Sequence, residues 1–338
     1  MENQTLKPVT ILGAGSWGTA IALYLARRGQ TVRLWSFEIN EVAALLAERT
    51  NSQFLPGYPF PDTIEPTANL AEALKNIDDV LIAVPSVGFR DTLAMLKALV
   101  TPNIRLTCAT KGLDAETGQL LHEVAIEMLG ADLAYAVLSG PSFAREVAEG
   151  LPTAVCMASK NKTLRNDLIQ RFNSPIFRTY PSDDVIGTET GGVAKNVIAI
   201  ATGIADGMEL GANARSALIT RGLAEIIALG TAMGGKLETF VGLSGLGDLI
   251  LTCGDDQSRN RRMGLAIGKG KDIEAAEKEI GQVVEGKQSA ELVEKLATKH
   301  GINMPICSAI CQILQGKADP KKTFMELITS SSLSEMSA

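Results

Sequence analysis

The sequence predicts an α/β domain built on a mostly parallel sheet over residues 1–190, followed by an all-α domain over residues 191–338. Three observations carry that prediction. Strand and helix signals alternate through the first half, the pattern of βαβ units sharing one sheet. Strand signals then stop after about Gly187. Finally, 338 residues are enough for two separate cores.

Taken in order, Val9-Thr10-Ile11-Leu12 reads as a buried strand. Residues 19–28 read as an amphipathic helix, ended by Gly29 at the C′ position. A second strand spans 31–35, with a helix near 40–49. The segment 51–66 holds four prolines and is expected to be a loop. Strands recur at 80–84, 105–109 and 134–138, with helical segments between them, and two more are expected at 154–158 and 176–180. Beyond Gly187 the pattern is helical, broken by glycines at Gly211, Gly234-Gly235, Gly254, Gly270 and Gly286. This places the domain boundary near 187–192. The polar tail Ser330 to Ala338 is expected to fray.

Composition narrows the functional classes. Apolar residues make up 46% and charged residues 21% of the chain, ordinary for a soluble globular protein. A net charge of −6 argues against a general nucleic-acid binder, which needs a broad basic surface. Met1-Glu2-Asn3-Gln4 lacks the basic and apolar regions of a secretion signal, and no apolar run reads as long enough to span a bilayer. The five cysteines, at 108, 156, 253, 307 and 311, are scattered without a Cys-x-x-Cys. That fits reduced, buried thiols in the cytoplasm. Only His122 and His300 are present, so neither a histidine base nor a histidine-rich metal site is expected.

The chemistry gathers in a few places. Gly13-Ala14-Gly15-Ser16-Trp17-Gly18 fits G-x-G-x-x-G, and it follows a strand and opens a helix, the context that motif requires. Gly13 permits the tight turn, Gly15 lets the backbone approach a pyrophosphate, and Gly18 allows close helix packing. The pyrophosphate would rest on the helix N-terminus. A glycine-rich structural turn is the plain alternative. Cofactor choice is read just past the second strand, at Trp35-Ser36-Phe37-Glu38. An acidic residue there binds the ribose hydroxyls of NAD, and an arginine accommodates the extra phosphate of NADP. Phe37 could stack on an adenine or simply pack.

Unusual residues cluster after the predicted strands: Gly13, then Pro85-Ser86, then Lys111-Gly112, then Ser139-Gly140-Pro141-Ser142. Ligands of open α/β sheets bind at those strand ends, so Lys111 would project a cation there. In the helical half, Lys195 opens a stretch without another charge until Asp206. At helical spacing, Thr188, Gly191, Gly192, Lys195, Ala199, Thr202 and Asp206 share one stripe, which reads as cleared of bulk for something other than protein. A lysine snorkelling from a helix start is the alternative. Asp248, in Gly245-Leu246-Gly247-Asp248, needs a partner if buried. Ser258 is a plausible N-cap, and an anion there would meet backbone N–H groups and the forked guanidinium of Arg259. Arg261 and Arg262 point elsewhere on that helix.

With these residues in hand, the chain closely resembles the bacterial NAD(P)-dependent glycerol-3-phosphate dehydrogenases. The matching pieces run through most of the sequence: GAGSWGTA, FLPGYPFPDT, VPS, ATKGL, SGPSFA, GLPTA, GGVAKNVIAI, GANARSALITRGL, GLGDLILTC, SRNRR and GQVVEG. The resemblance implies a Rossmann-type domain joined to a helical domain, a cytoplasmic homodimer and NAD or NADP as cofactor. It also implies interconversion of dihydroxyacetone phosphate and sn-glycerol 3-phosphate for glycerophospholipid synthesis. By position, Lys195 matches the catalytic lysine and Lys111 a lysine touching cofactor and substrate. Asp248, Ser258, Arg259 and Asn260 match substrate positions, with Arg259 also near the cofactor. Gly140 and Ser142 match positions at substrate and cofactor, and Ser16, Trp17, Ala144, Val283 and Glu285 match cofactor contacts. Phe37 departs from the pattern: relatives often carry a basic residue there, so a strong NADP preference does not carry over.

The mechanism expected from these roles is hydride transfer to the ketone carbon, with Lys195 giving a proton to the developing alkoxide. Burial and Lys111 would lower its pKa toward the working range, Asp248 would orient it, and Arg259 would hold the phosphate. The boundary near Gly191-Gly192 is expected to put Lys195 where the two halves meet. A reductase of a small hydroxy or keto acid is the rival enzyme reading. A non-catalytic NAD(H)-sensing regulator is the rival from another class.

Overall fold

Short, largely apolar runs buried on both faces build the sheet of the first unit. The computed structural model describes residues 7–99 and 103–329. The leader and tail expectations therefore lie outside the described residues. One unit comprises the chain up to Thr110 together with Leu121–Val185, and the other comprises Lys111–Leu120 and everything from Ile186 on.

Among the described residues of the first unit ten strands are formed: β1 (Val9–Leu12), β2 (Val32–Trp35), β3 (Thr50–Asn51), β4 (Leu55–Pro59), β5 (Ile64–Thr67), β6 (Asp79–Ile82), β7 (Arg105–Cys108), β8 (Ala134–Ser139), β9 (Thr153–Ala158) and β10 (Phe177–Ser182). Eight make one sheet in the order β10-β9-β8-β7-β6-β1-β2-β5, and β3 pairs with β4 in a separate ribbon. Neighbours in the large sheet run parallel except β8 and β9. Because side chains alternate across a strand, the sheet feeds two cores. Ile11, Leu81, Leu138 and Met157 face one, with Leu23 and Leu168 from helices Ser16–Arg27 and Lys162–Phe172. Leu12, Ile82, Val137 and Ala158 face the other, with Leu93 and Val124 from helices Phe89–Lys97 and Leu121–Leu129. Strand order reverses between β1 and β6, so this unit has a topological switch point at the C-terminal end of β1.

The expectation of a loop over 51–66 is corrected. Ile64–Thr67 pairs in register with β2 as the last strand of the sheet, and proline is tolerated on an edge strand because one side carries no partner. Pro66 therefore sits opposite Leu34 without costing a ladder bond elsewhere.

The second unit carries no strand among its described residues, only a bridge between Leu113 and Leu120. Its core forms around helix Val185–Gly207, whose Val197, Ile200 and Ile204 are wholly buried. Leu113 and Leu120 join that same core, so a ten-residue excursion from the sheet sequence belongs to the helical unit. All five cysteines are buried. The stretch Leu237–Gly254 is long and apolar enough to cross a membrane by length and composition, which corrects the expectation that no run reaches that length. Here it is broken into helix Leu237–Phe240, one turn of π-helix at Leu243–Gly247 and helix Asp248–Gly254, and it carries the buried, ion-paired Asp248.

Candidate active site

The first group of site residues is the glycine turn after β1. Gly13 has φ +110°, and a side chain there would come within 2.8 Å of the backbone of Ala83 and Val84. A Cβ on Gly18 would lie 1.9 Å from the Gly13 carbonyl. Both glycines are thus demanded by packing. Gly15 is not: a side chain there would meet nothing within 4 Å. Helix Ser16–Arg27 opens at Gly15 with no side-chain cap and no acidic residue in its first turn, leaving backbone donors and the positive end of the helix dipole for an anion. The indole Nε1 of Trp17 is buried without a partner among the described residues. An uncrowded glycine, uncapped N–H groups and an orphaned donor fit a dinucleotide pyrophosphate.

The turn is braced by a residue that sequence reading missed. Asn51, fully buried in β3, donates to the Ala14 carbonyl (2.7 Å) and the Thr19 hydroxyl (2.8 Å), while its own oxygen accepts from the Phe54 N–H (3.0 Å). The Ser16 hydroxyl donates to the Phe54 carbonyl at 2.7 Å, so Ser16 offers its backbone rather than its side chain. The signal of Asn51 was hidden inside the stretch read as a loop. Phe37 follows β2 and is 69% exposed. Gly140 follows β8 with φ +138°, and a Cβ there would come within 3.0 Å of Val155 Cα in β9. Ser142 donates back to the Gly140 carbonyl (2.9 Å), and Ala144 starts helix Ala144–Glu149. Since β1, β2, β6, β7 and β8 run the same way, all these positions lie at one end of the sheet.

The second group lies in the helical unit and centres on Asp248. Its carboxylate is 1% exposed and takes the Lys111 ammonium at 2.6 Å on one oxygen and the Lys195 ammonium on the other. Lys195 also donates to the Thr252 hydroxyl (2.9 Å), which in turn donates to the Asp248 carbonyl (2.6 Å). Burial opposes the charge on Asp248, but the two ammonium groups outweigh it and hold its carboxyl below the ordinary range. Burial likewise drives Lys195 down to about 7, with Lys111 pushing the same way and Asp248 resisting. Two cations on one carboxylate leave the cluster with a net positive charge. Thr252 is a site residue that the sequence reading did not single out; its spacing of four from Asp248 on helix Asp248–Gly254 is the signal that would have found it.

Two sequence expectations about Lys195 are corrected. It does not lead a helix but sits mid-helix in Val185–Gly207, 5% exposed, so it cannot snorkel. The small-residue stripe is also not left open. A side chain at Gly191 would strike the Ser244 carbonyl at 2.9 Å, and Asp206 is paired with Arg215 and Arg261. Protein backbone and ion pairs occupy most of it. Lys111 too is engaged: it follows β7 in sequence, yet its ammonium is spent on Asp248 within the helical unit.

Ser258 caps helix Arg259–Gly268, its hydroxyl accepting from the Arg261 N–H at 3.2 Å. Asn260 is buried and internally committed: its amide donates to Asn196 (2.8 Å) and accepts from the Gly286 N–H (2.8 Å). Asn196 neighbours Lys195, so this relay ties the lysine helix, the Ser258-capped helix and helix Glu285–His300 together. Burial lowers the Arg259 pKa while Glu285, the first residue of that last helix, works against the shift. Val283 lies two residues before it and is 39% exposed. Arg261, set aside on sequence, is buried and clamps Asp206 and Asp256.

A glycine turn fitted to a dinucleotide and a buried lysine–carboxylate cluster define a nicotinamide-dependent dehydrogenase. The chain belongs to the NAD-dependent glycerol-3-phosphate dehydrogenase family, matching its N-terminal part over residues 8–165 and its C-terminal part over residues 184–325. It is 50% identical over 328 residues, 97% of this chain and 98% of the relative, to glycerol-3-phosphate dehydrogenase [NAD(P)+] of Coxiella burnetii (strain RSA 331 / Henzerling II). It is 48% identical over 331 residues, 98% of each, to the enzyme of that name from Shewanella halifaxensis (strain HAW-EB4). The crystal structure of glycerol-3-phosphate dehydrogenase from Coxiella burnetii superposes with a TM-score of 0.94 at 50% identity, covering 96% of this chain and 99% of the other.

Proposed function

We propose that this chain reduces dihydroxyacetone phosphate to sn-glycerol 3-phosphate with NADH or NADPH, supplying glycerophospholipid synthesis. When bound, the nicotinamide supplies the hydride. The observation that carries the reading is the buried Lys111–Asp248–Lys195 cluster, in a chain whose similarity to the named enzymes runs through nearly its whole length. Lys195, with a pKa of about 7, is protonated often enough to give a proton to an alkoxide and neutral often enough to take one back. Asp248 holds the two ammonium groups together, and their excess charge favours an anionic substrate and a developing oxyanion. Arg259, with the N–H groups at the start of its helix, receives the phosphate. Asn260 acts through Asn196 and Gly286, fixing that helix against Lys195. Gly140, Ser142, Ala144, Val283 and Glu285 shape the remainder of the binding surface. Cytoplasmic location and a homodimer complete the reading.

The test is spectrophotometric: oxidation of NADH and NADPH dependent on dihydroxyacetone phosphate, measured for wild type, Lys195→Ala and Arg259→Ala. Lys195→Ala should lower kcat by about 10²–10⁴-fold while still binding NADH. It leaves Asp248 paired with Lys111, so no buried charge is stranded. Arg259→Ala should chiefly raise KM for dihydroxyacetone phosphate. Near-normal turnover in Lys195→Ala, or no activity with this substrate in wild type, would sink the proposal.

A further inference from the structure

The end of β2 carries an arrangement that the reaction itself does not require. Ser36, the first residue after the strand, is buried and donates its hydroxyl to Glu41 at 2.5 Å, while the Glu38 N–H points back to the same hydroxyl at 3.4 Å. The second carboxyl oxygen of Glu41 has no hydrogen-bond partner among the described residues. Glu38 is exposed at the start of helix Ile39–Glu48 and forms no side-chain cap. Between Trp35 and Glu48 the sequence contains no lysine, arginine or histidine. The arginines flanking this stretch are used elsewhere: Arg33 donates to the Glu72 and Lys75 carbonyls, and Arg49 to those of Pro61 and Ile64. Burial raises the Glu41 carboxyl above its ordinary range, and the nearby Glu38 pushes it the same way.

We infer that Ser36, Phe37, Glu38 and Glu41 select NADH over NADPH. This rests on the cofactor reading of the glycine turn. NADPH differs by a phosphate on the 2′ oxygen of its adenosine ribose, a group that binds through cations and hydroxyl donors at this strand end. Here the one hydroxyl is already donated to a carboxylate, the side chain at position 37 is a phenyl ring, and two acids share the turn. The 2′-hydroxyl of NADH, by contrast, can donate to a carboxylate. The exposed Phe37 ring gives an adenine face a surface common to both cofactors.

Direct binding separates this inference from the activity. Purified full-length protein is titrated with NADH and with NADPH, without substrate, following nicotinamide fluorescence. NADH should bind at least about tenfold tighter, equivalent to about 1.4 kcal/mol. A Phe37→Arg, Glu38→Gln double variant should close most of that gap by tightening NADPH. Equal or tighter binding of NADPH to wild type overturns the inference. So does a wild-type gap that the double variant leaves unchanged, since discrimination would then lie in other residues. Failure of both cofactors to bind would instead remove the glycine-turn reading on which the inference stands.

Discussion

A lysine that titrates near neutrality works in both directions, but with opposite pH dependence. Lys195 is moved from 10.5 to about 7 chiefly by burial. Below that value it is an ammonium and can protonate an alkoxide; above it, it is a neutral amine and can accept a proton. We therefore expect kcat for ketone reduction to fall as pH rises through about 7, and kcat for alcohol oxidation to rise through the same region. Profiles measured in both directions check this, and parallel profiles would assign the titration to another group. The oddity of Lys195 was legible in the sequence, as was the need of Asp248 for a partner. The Thr252 hydroxyl that hydrogen-bonds to both was not, because Thr252 comes near Lys195 only through the tertiary fold. The small residues around Lys195 were misread for a related reason: glycine leaves the same trace whether a ligand or another backbone approaches.

At the level of elements, that second cause is the common one. Helices Val185–Gly207 and Arg259–Gly268 cross backbone to backbone: a Cβ on Gly264 would lie 2.1 Å from the Ile200 carbonyl, and one on Gly203 would lie 2.2 Å from that of Arg261. This crossing holds the Ser258–Arg259 turn against the lysine helix. Gly264→Ala should cost about 1–3 kcal/mol or more through overpacking, seen as a lower denaturation midpoint, and should raise KM for dihydroxyacetone phosphate. An unchanged midpoint would mean that the crossing is looser than its geometry implies. Gly286, read as a helix break, is another such contact: it lies inside helix Glu285–His300, where a Cβ would lie 2.7 Å from the Asn196 carbonyl. The strands of the sheet were read well because a short apolar run buried on both faces is a local property. β5 was lost because Pro66 speaks against a strand unless its edge position is known. Asn51 was lost with it.

For the whole molecule, the sequence shows where strand signals end but not that the helical unit borrows a segment from the earlier half. Nothing local distinguishes Lys111–Leu120 from an ordinary connection; only its burial of Leu113 and Leu120 in the helical core does so. Truncating one of those side chains should therefore weaken a unit that begins some seventy residues later in the chain. Leu120→Ala should cost about 2–5 kcal/mol. The sealed thiols offer the means to see where. With Cys108 and Cys156 in one unit and Cys253, Cys307 and Cys311 in the other, a thiol-specific reagent reacts only as each unit opens. In Leu120→Ala, modification should quicken at the last three and stay slow at the first two; uniform acceleration would mean that the units unfold as one. The five cysteines thus serve as a two-channel clock of unfolding already written into the natural chain.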